Sequence, residues 1–248
     1  MNVGKTTISV ITADHLSRSG KKVLLIDLDP QTSATLFLEN NYGEITPKEE
    51  LFTALNNENL RPAICHLAEN LDVIPGDWNL SKWDQMAAKF PQKLRMFILG
   101  NLLQPIKEKY DYVILDVPPT ISVLVTNAVL ASDYIALVLQ TQKSSYESAL
   151  RTTRYLQELK EDYNANFILI GIILYLVSKR SRTDNIIESK AAETFGEEAL
   201  FKNHIYYRER VKNWSNQGIT HNEKDIHDVH THKMYGDLIE ELIERIGD

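Results

Sequence analysis

The feature that most restricts how this chain can fold is a run of four aliphatic residues, Val23-Leu24-Leu25-Ile26, closed by Asp27. A run without polar alternation is buried on both faces, and such a strand belongs inside a parallel sheet covered by helices. Similar runs recur at 71–75, 112–115, 134–139 and 167–174, each separated by enough chain for a crossover helix. Residues 4–19 place Ile8, Ile11 and Leu16 on one helical face and stop at Gly20, a residue that readily turns left-handed after a helix. The alternation predicts an α/β fold, a doubly wound and mostly parallel sheet with helices on both faces.

Residues 40–70 and 76–95 are more polar and read as helical or loop excursions, so residues 1–248 are expected to form a single domain. From 233 to 246, Met234, Leu238, Ile239, Leu242, Ile243 and Ile246 recur at helical spacing, which predicts a C-terminal amphipathic helix. With 27 Lys+Arg against 34 Asp+Glu the net charge is −7, which excludes a polybasic protein and leaves any attraction to DNA to a local patch. The single Cys65 excludes an internal disulfide framework and a cysteine-pair metal site, and points to a reducing compartment. Apolar stretches fall short of the ~18 residues that span a bilayer. Residues 1–7 lack a secretory pattern, so a cytoplasmic protein without a membrane partner is expected.

Three segments could carry chemistry. Val3-Gly4-Lys5-Thr6-Thr7 directly precedes a helix, where backbone N–H groups can wrap phosphates, a lysine can reach them and a hydroxyl can ligate Mg²⁺. A Gly-Lys-Thr tripeptide arises by chance in roughly one chain in twenty of this length, so the segment alone decides nothing. Asp27-Leu28-Asp29-Pro30-Gln31 puts two carboxylates where a buried strand ends, the edge at which α/β sheets hold ligands, although an aspartate before proline also serves as a plain turn residue. The strand at 112–115 delivers Asp116 to the same edge.

Together these segments resemble the ParA/MinD family of deviant Walker-motif ATPases, over nearly the whole chain. In that family the loop reads Lys-Gly-Gly-x-Gly-Lys-Thr-Thr, and Val3 to Thr7 match its last five positions, with Asn2 where the second glycine belongs. The resemblance implies a P-loop NTPase-like fold that binds ATP and Mg²⁺. Val3, Gly4, Lys5, Thr6 and Thr7 would contact the nucleotide, Thr6, Asp27 and Asp116 would support the metal, and Lys5 and Asp29 would act on the phosphate and the attacking water. The Asp-Pro-Gln at 29–31 and the Asp-x-Pro-Pro at 116–119 look like the ParA/Soj branch.

A MinD-like membrane helix should be basic, whereas residues 221–248 hold three Lys/Arg against eight acids. Residues 175–212 hold eight Lys/Arg against six acids, concentrated at Lys179, Arg180 and Arg182 and at Arg208, Arg210 and Lys212. Family members bind nonspecific double-stranded DNA through basic residues of this region, which implies salt-sensitive phosphate contacts. The resemblance further implies an ATP-dependent homodimer, a ParB-like centromere-binding partner and a nucleoid-associated location in the cytoplasm. The family also has a strand and a signature lysine ahead of the position of Gly4, so the first strand is expected to be missing here and activity impaired. An adaptor that keeps the DNA and partner surfaces but lacks nucleotide chemistry is the rival reading. The crowded His221, His227, His230 and His232 show no regular spacing for a metal.

Overall fold

The computed structural model describes residues 4–92, 94–178 and 181–247. The chain packs as two compact units, residues 1–132 with 213–220, and residues 133–212 with 221–248.

In the first unit α1 (Lys5–Arg18), β1 (Val23–Asp27), α2 (Ser33–Tyr42) and α3 (Leu51–Asn56) lead to a hairpin of β2 (Cys65–Ala68) and β3 (Leu71–Ile74). Then come α4 (Trp83–Ala87), α5 (Ile98–Lys107), β4 (Tyr112–Asp116) and α6 (Val123–Ala131). The sheet runs in the order β2-β3-β1-β4. Its centre is β1, buried at all five positions and parallel to both β3 and β4, as the unbroken aliphatic run requires. One face of this sheet packs Leu24, Ile26 and Leu28 with Leu51, Trp83, Leu99 and Leu124.

Helix α1 stops where expected. The Lys21 N–H donates to the Leu16 carbonyl and the Gly20 N–H to that of Ser17, with Gly20 at φ 84°, a Schellman closure that a side chain would strain. Burial of α1 extends beyond one face, to Val10, Thr12, Ala13 and Asp14 as well as Ile8, Ile11 and Leu16. Residues 213–220 join this unit through α2. The Asn41 amide donates to the Ile219 carbonyl at 2.9 Å and accepts from the Ile219 N–H at 2.8 Å.

In the second unit β5 (Tyr134–Gln140), β6 (Ile168–Val177) and β7 (Ile205–Tyr206) form a parallel sheet of order β5-β6-β7, joined by α7 (Lys143–Tyr163) and α8 (Arg182–Phe195). Helix α9 (Glu209–Gln217) begins in this unit and has its residues 213–217 in the first, and α10 (Ile226–Ile246) ends the second. The strands thus fall in two sheets, where the sequence predicts one. β4 and β5 each end their own sheet, and their apolar side chains are mostly half-buried rather than fully buried. Helix α10 starts at Ile226, seven residues before the expected 233, because the Asp225 carboxylate caps the His227 N–H at 2.9 Å. Its Arg245 donates to the carbonyls of Ile170, Glu198 and Leu200, pairs with Glu241 and lies over the Phe201 ring. No helix among the described residues is long and apolar enough to cross a membrane.

Candidate functional site

The carboxyl-terminal edge of the first sheet gathers the acids. β1 and β4 run parallel in a register that sets Asp27 directly beside Asp116, and both are buried. The Thr6 hydroxyl donates to Asp116 Oδ2 at 2.8 Å and the Ser9 hydroxyl donates to Oδ1 at 3.0 Å, so the first two turns of α1 are tied to the end of β4. Desolvation dominates the titration of Asp116. Against the hydrogen bond from Thr6, burial pushes its pKa up to about 7, and the Asp27 charge adds to the rise.

Asp27 is held from the other side. Its Oδ1 accepts the Asp29 N–H at 3.1 Å, and its Oδ2 accepts the Thr35 N–H at 2.9 Å and the Thr35 hydroxyl at 2.8 Å. Burial raises its pKa and these hydrogen bonds oppose the rise. Asp29 accepts the Gln31 N–H at 2.9 Å in an Asx turn, and its carbonyl takes the Thr32 N–H, which aims the chain into α2. Lys5 is half-buried, and desolvation lowers its pKa while Asp116 and Asp29 pull it back up.

Gly4 stands at the amino-terminal cap of α1 with no side-chain cap, and no acid occupies the first turn. A first turn of this kind suits an anion, because helix-terminal N–H groups have no partner within the helix. The donor set suits Mg²⁺, which takes oxygen ligands and is commonly held by one or two carboxylates plus substrate phosphates. The Thr6 hydroxyl and the Asp116 carboxylate are such oxygens, and Asp27 stands beside them. Among the described residues no three His, Cys, Asp or Glu side chains form a cage of their own. Thr7 is half-buried in the same first turn, and Val3 lies outside the described residues.

Residues 2–169 match the family described as AAA domain, which is more than half of the chain. The chain belongs to that AAA domain family. Over 206 residues it is 29% identical to the chromosome partitioning protein ParA of Myxococcus xanthus, covering 82% of this chain and 69% of that protein. The sporulation initiation inhibitor protein Soj of Bacillus subtilis is 28% identical over 180 residues, covering 72% and 70%. An ATP complex of a McdA variant from Cyanothece matches with a TM-score of 0.84 at 26% identity, over 96% of this chain and 91% of that one. A putative plasmid partition protein from Borrelia burgdorferi bound to AMPPNP matches with a TM-score of 0.76 at 25% identity, over 98% and 95%. The resemblance to ParA/MinD-type partition ATPases and the P-loop NTPase-like α/β fold are thus both borne out.

In this AAA domain chain the basic region belongs to the second unit. Val177 pairs with Tyr206 across β6 and β7, so the segments after these parallel strands leave one end of the sheet together. That brings Arg182 and the 208–212 run to one edge. Arg182 and Lys212 are exposed there, whereas Lys179 and Arg180 lie outside the described residues. Arg208 is half-buried. Arg210 is committed inward, paired with Asp225 and, at 3.1 Å, with Asp228, whose side chain is only 1% exposed. His221 and His232 stack with ring centres 4.5 Å apart.

Sequence reasoning passed over Ser9, Thr35 and Gly76. Ser9 carried a signal, since it follows Thr6 by three residues and shares its helical face. Thr35 and Gly76 carried none, because only the fold brings them to Asp27.

Proposed function

We propose that this protein is an ATP-driven partition ATPase that binds Mg·ATP, dimerises on ATP, holds nonspecific double-stranded DNA and is released when a ParB-like centromere-binding partner stimulates hydrolysis. The observation that carries the reading is the Thr6 hydroxyl bonded to Asp116 at the start of α1, with Asp27 in register beside it and Lys5 in their field.

The roles follow from the chemistry of each group. The first-turn N–H groups of α1 and the Lys5 ammonium bind the phosphate oxygens and take up the charge that grows on them as the terminal phosphoryl group departs. Asp29, oriented by its bond from the Gln31 N–H, positions the attacking water. Thr6 and Asp116, with Asp27 supporting them, would hold Mg²⁺, which would supply neutralisation of phosphate charge. Because catalysis of phosphoryl transfer is mostly positioning and electrostatics, the hydrogen bonds that fix these acids are part of the machinery.

DNA binding rests on Lys179, Arg180 and Arg182 and on Arg208, Arg210 and Lys212, with Arg182 and Lys212 as the exposed contacts and Arg210 bracing α9 from within. Such contacts address phosphates and are independent of sequence. The cytoplasm, at the nucleoid, is the location this activity requires. The test is Mg·ATP titration by calorimetry on the chain and on Lys5→Ala. The reading expects saturable binding that the substitution abolishes, and equal binding by both proteins would remove it.

A further inference from the structure

We propose that Thr35 is a positioning residue for Mg²⁺ binding, acting through Asp27. The inference rests on the reading of this sheet edge as an Mg·ATP site and adds a residue from α2 to it.

Asp27 is completely buried and meets three hydrogen bonds from its own chain, two of them from Thr35. The backbone N–H of Thr35 is one, and any residue at this position would supply it. The hydroxyl is the other, and its proton has a fixed destination. Thr35 Oγ1 accepts the Gly76 N–H at 2.7 Å with one lone pair, and its hydrogen goes to Asp27 Oδ2 at 2.8 Å, since the amide can only donate and the carboxylate only accept. The result is a directed chain from the Gly76 amide through the Thr35 hydroxyl to the carboxylate. Thr35 is itself 6% exposed, which leaves water little room to substitute for either bond.

Gly76 closes the arrangement from the end of β3. A Cβ built there would fall 2.9 Å from Asp27 Cγ and Oδ2 and 3.1 Å from Thr32 Cα, so only glycine lets this backbone press against the carboxylate. Asp27 is therefore gripped by two chain segments besides its own strand, with its rotation about the side chain removed. Outer partners of this kind orient metal-supporting carboxylates, and losing one typically costs 10–100-fold in metal affinity or activity. A threonine that only satisfied a buried charge would matter for stability and leave metal dependence alone.

The experiment separates these roles. ATP binding to the full chain is measured by calorimetry in EDTA and across a Mg²⁺ series, for wild type, Thr35→Val, Thr35→Ser, Asp27→Asn and the Thr35→Val/Asp27→Asn double variant. We expect Thr35→Val to raise the Mg²⁺ concentration for half-maximal tightening about 10–100-fold while ATP affinity in EDTA stays unchanged. Thr35→Ser, which keeps the hydroxyl, should behave as wild type, and Thr35→Val should add nothing once Asp27 is already Asn. If Thr35→Val does not fold, Thr35→Ala takes its place with the same expectation. An unchanged Mg²⁺ dependence, an equal loss in EDTA, or full additivity with Asp27→Asn overturns the role of Thr35 while the ATP site stands. A wild type that binds no ATP at all removes the site and this inference together.

Discussion

Asp116→Asn should make the nucleotide-free protein more stable at pH 8 and leave its stability at pH 4 nearly unchanged. Asp116 is 1% exposed, and burial lifts its pKa from 3.8 to about 7. Because the folded state holds this proton more tightly than the unfolded chain does, stability falls as pH rises from about 4 to about 7 and levels off above. Three pKa units at 1.36 kcal/mol each put the penalty at about 4 kcal/mol. The attraction of Lys5 is already contained in that value, so a gain of up to about 4 kcal/mol is the expectation at pH 8. Asparagine can keep the bond from Thr6 through its carbonyl and meet Ser9, whose hydroxyl accepts as well as donates. At 2–4 °C per kcal/mol for a chain of this size, the melting temperature should rise by up to roughly 15 °C. Thermal melts followed by circular dichroism in EDTA, at half-unit steps from pH 4 to pH 8, read the effect. A variant no more stable than wild type at pH 8, or equally favoured at both ends of the series, refutes the argument that desolvation governs this acid.

Other substitutions divide the roles further. Asp29→Ala should retain Mg·ATP binding and lose at least about 100-fold in turnover, checked by phosphate release beside calorimetry, and unchanged turnover would remove Asp29 from water positioning. Arg210→Ala should cost about 3–5 kcal/mol in urea unfolding, because Asp228 is left buried without its cation. Arg182→Ala with Lys212→Ala should leave unfolding unchanged while lowering the salt slope of DNA binding by about 2, read by fluorescence anisotropy at several salt concentrations. Gly171→Ala should destabilise by about 3 kcal/mol or more in the same unfolding assay. Gly171 has φ 145°, and a Cβ there would sit 2.6 Å from the Ala199 carbonyl oxygen and from Arg245.

What the sequence made legible follows the physics of burial. Strands β1, β3, β4, β5 and β6 could be read in advance because they are dense in aliphatic residues. β2 could not, since Cys65-His66-Leu67-Ala68 is an edge strand with no fully buried position and no apolar pattern. β7 is two residues long and exists through its pairing with β6. The early start of α10 escaped the stripe of Leu238 and Ile239 because its first turns bury Asp228 and Thr231, polar residues made tolerable by Arg210 and by the His227 carbonyl. The acids of the site were legible as strand endings, and Lys5 and Thr6 as a motif. Their supporting residues were not, since Thr35 and Gly76 meet Asp27 from 8 and 49 positions away along the chain. Charge counts flagged Arg210 as a surface cation, although its partners Asp225 and Asp228 follow it by 15 and 18 residues.

The pairing of Asp27 with Asp116 across β1 and β4 gives their separation an unusual rigidity. Adjacent strands lie about 4.8 Å apart, so the two backbones are spaced by the hydrogen-bond lattice of the sheet and by nothing a side chain can adjust. Sliding β1 by one residue would turn Asp27 to the opposite face, and sliding it by two would carry the carboxylate about 6.6 Å along the strand and abandon its pairings on both flanks. The acids therefore behave as fixed posts. Divergence or engineering at this edge is confined to what leans on them, Thr6 and Ser9 on one post and Thr35 on the other, the positions that can change without rebuilding the sheet.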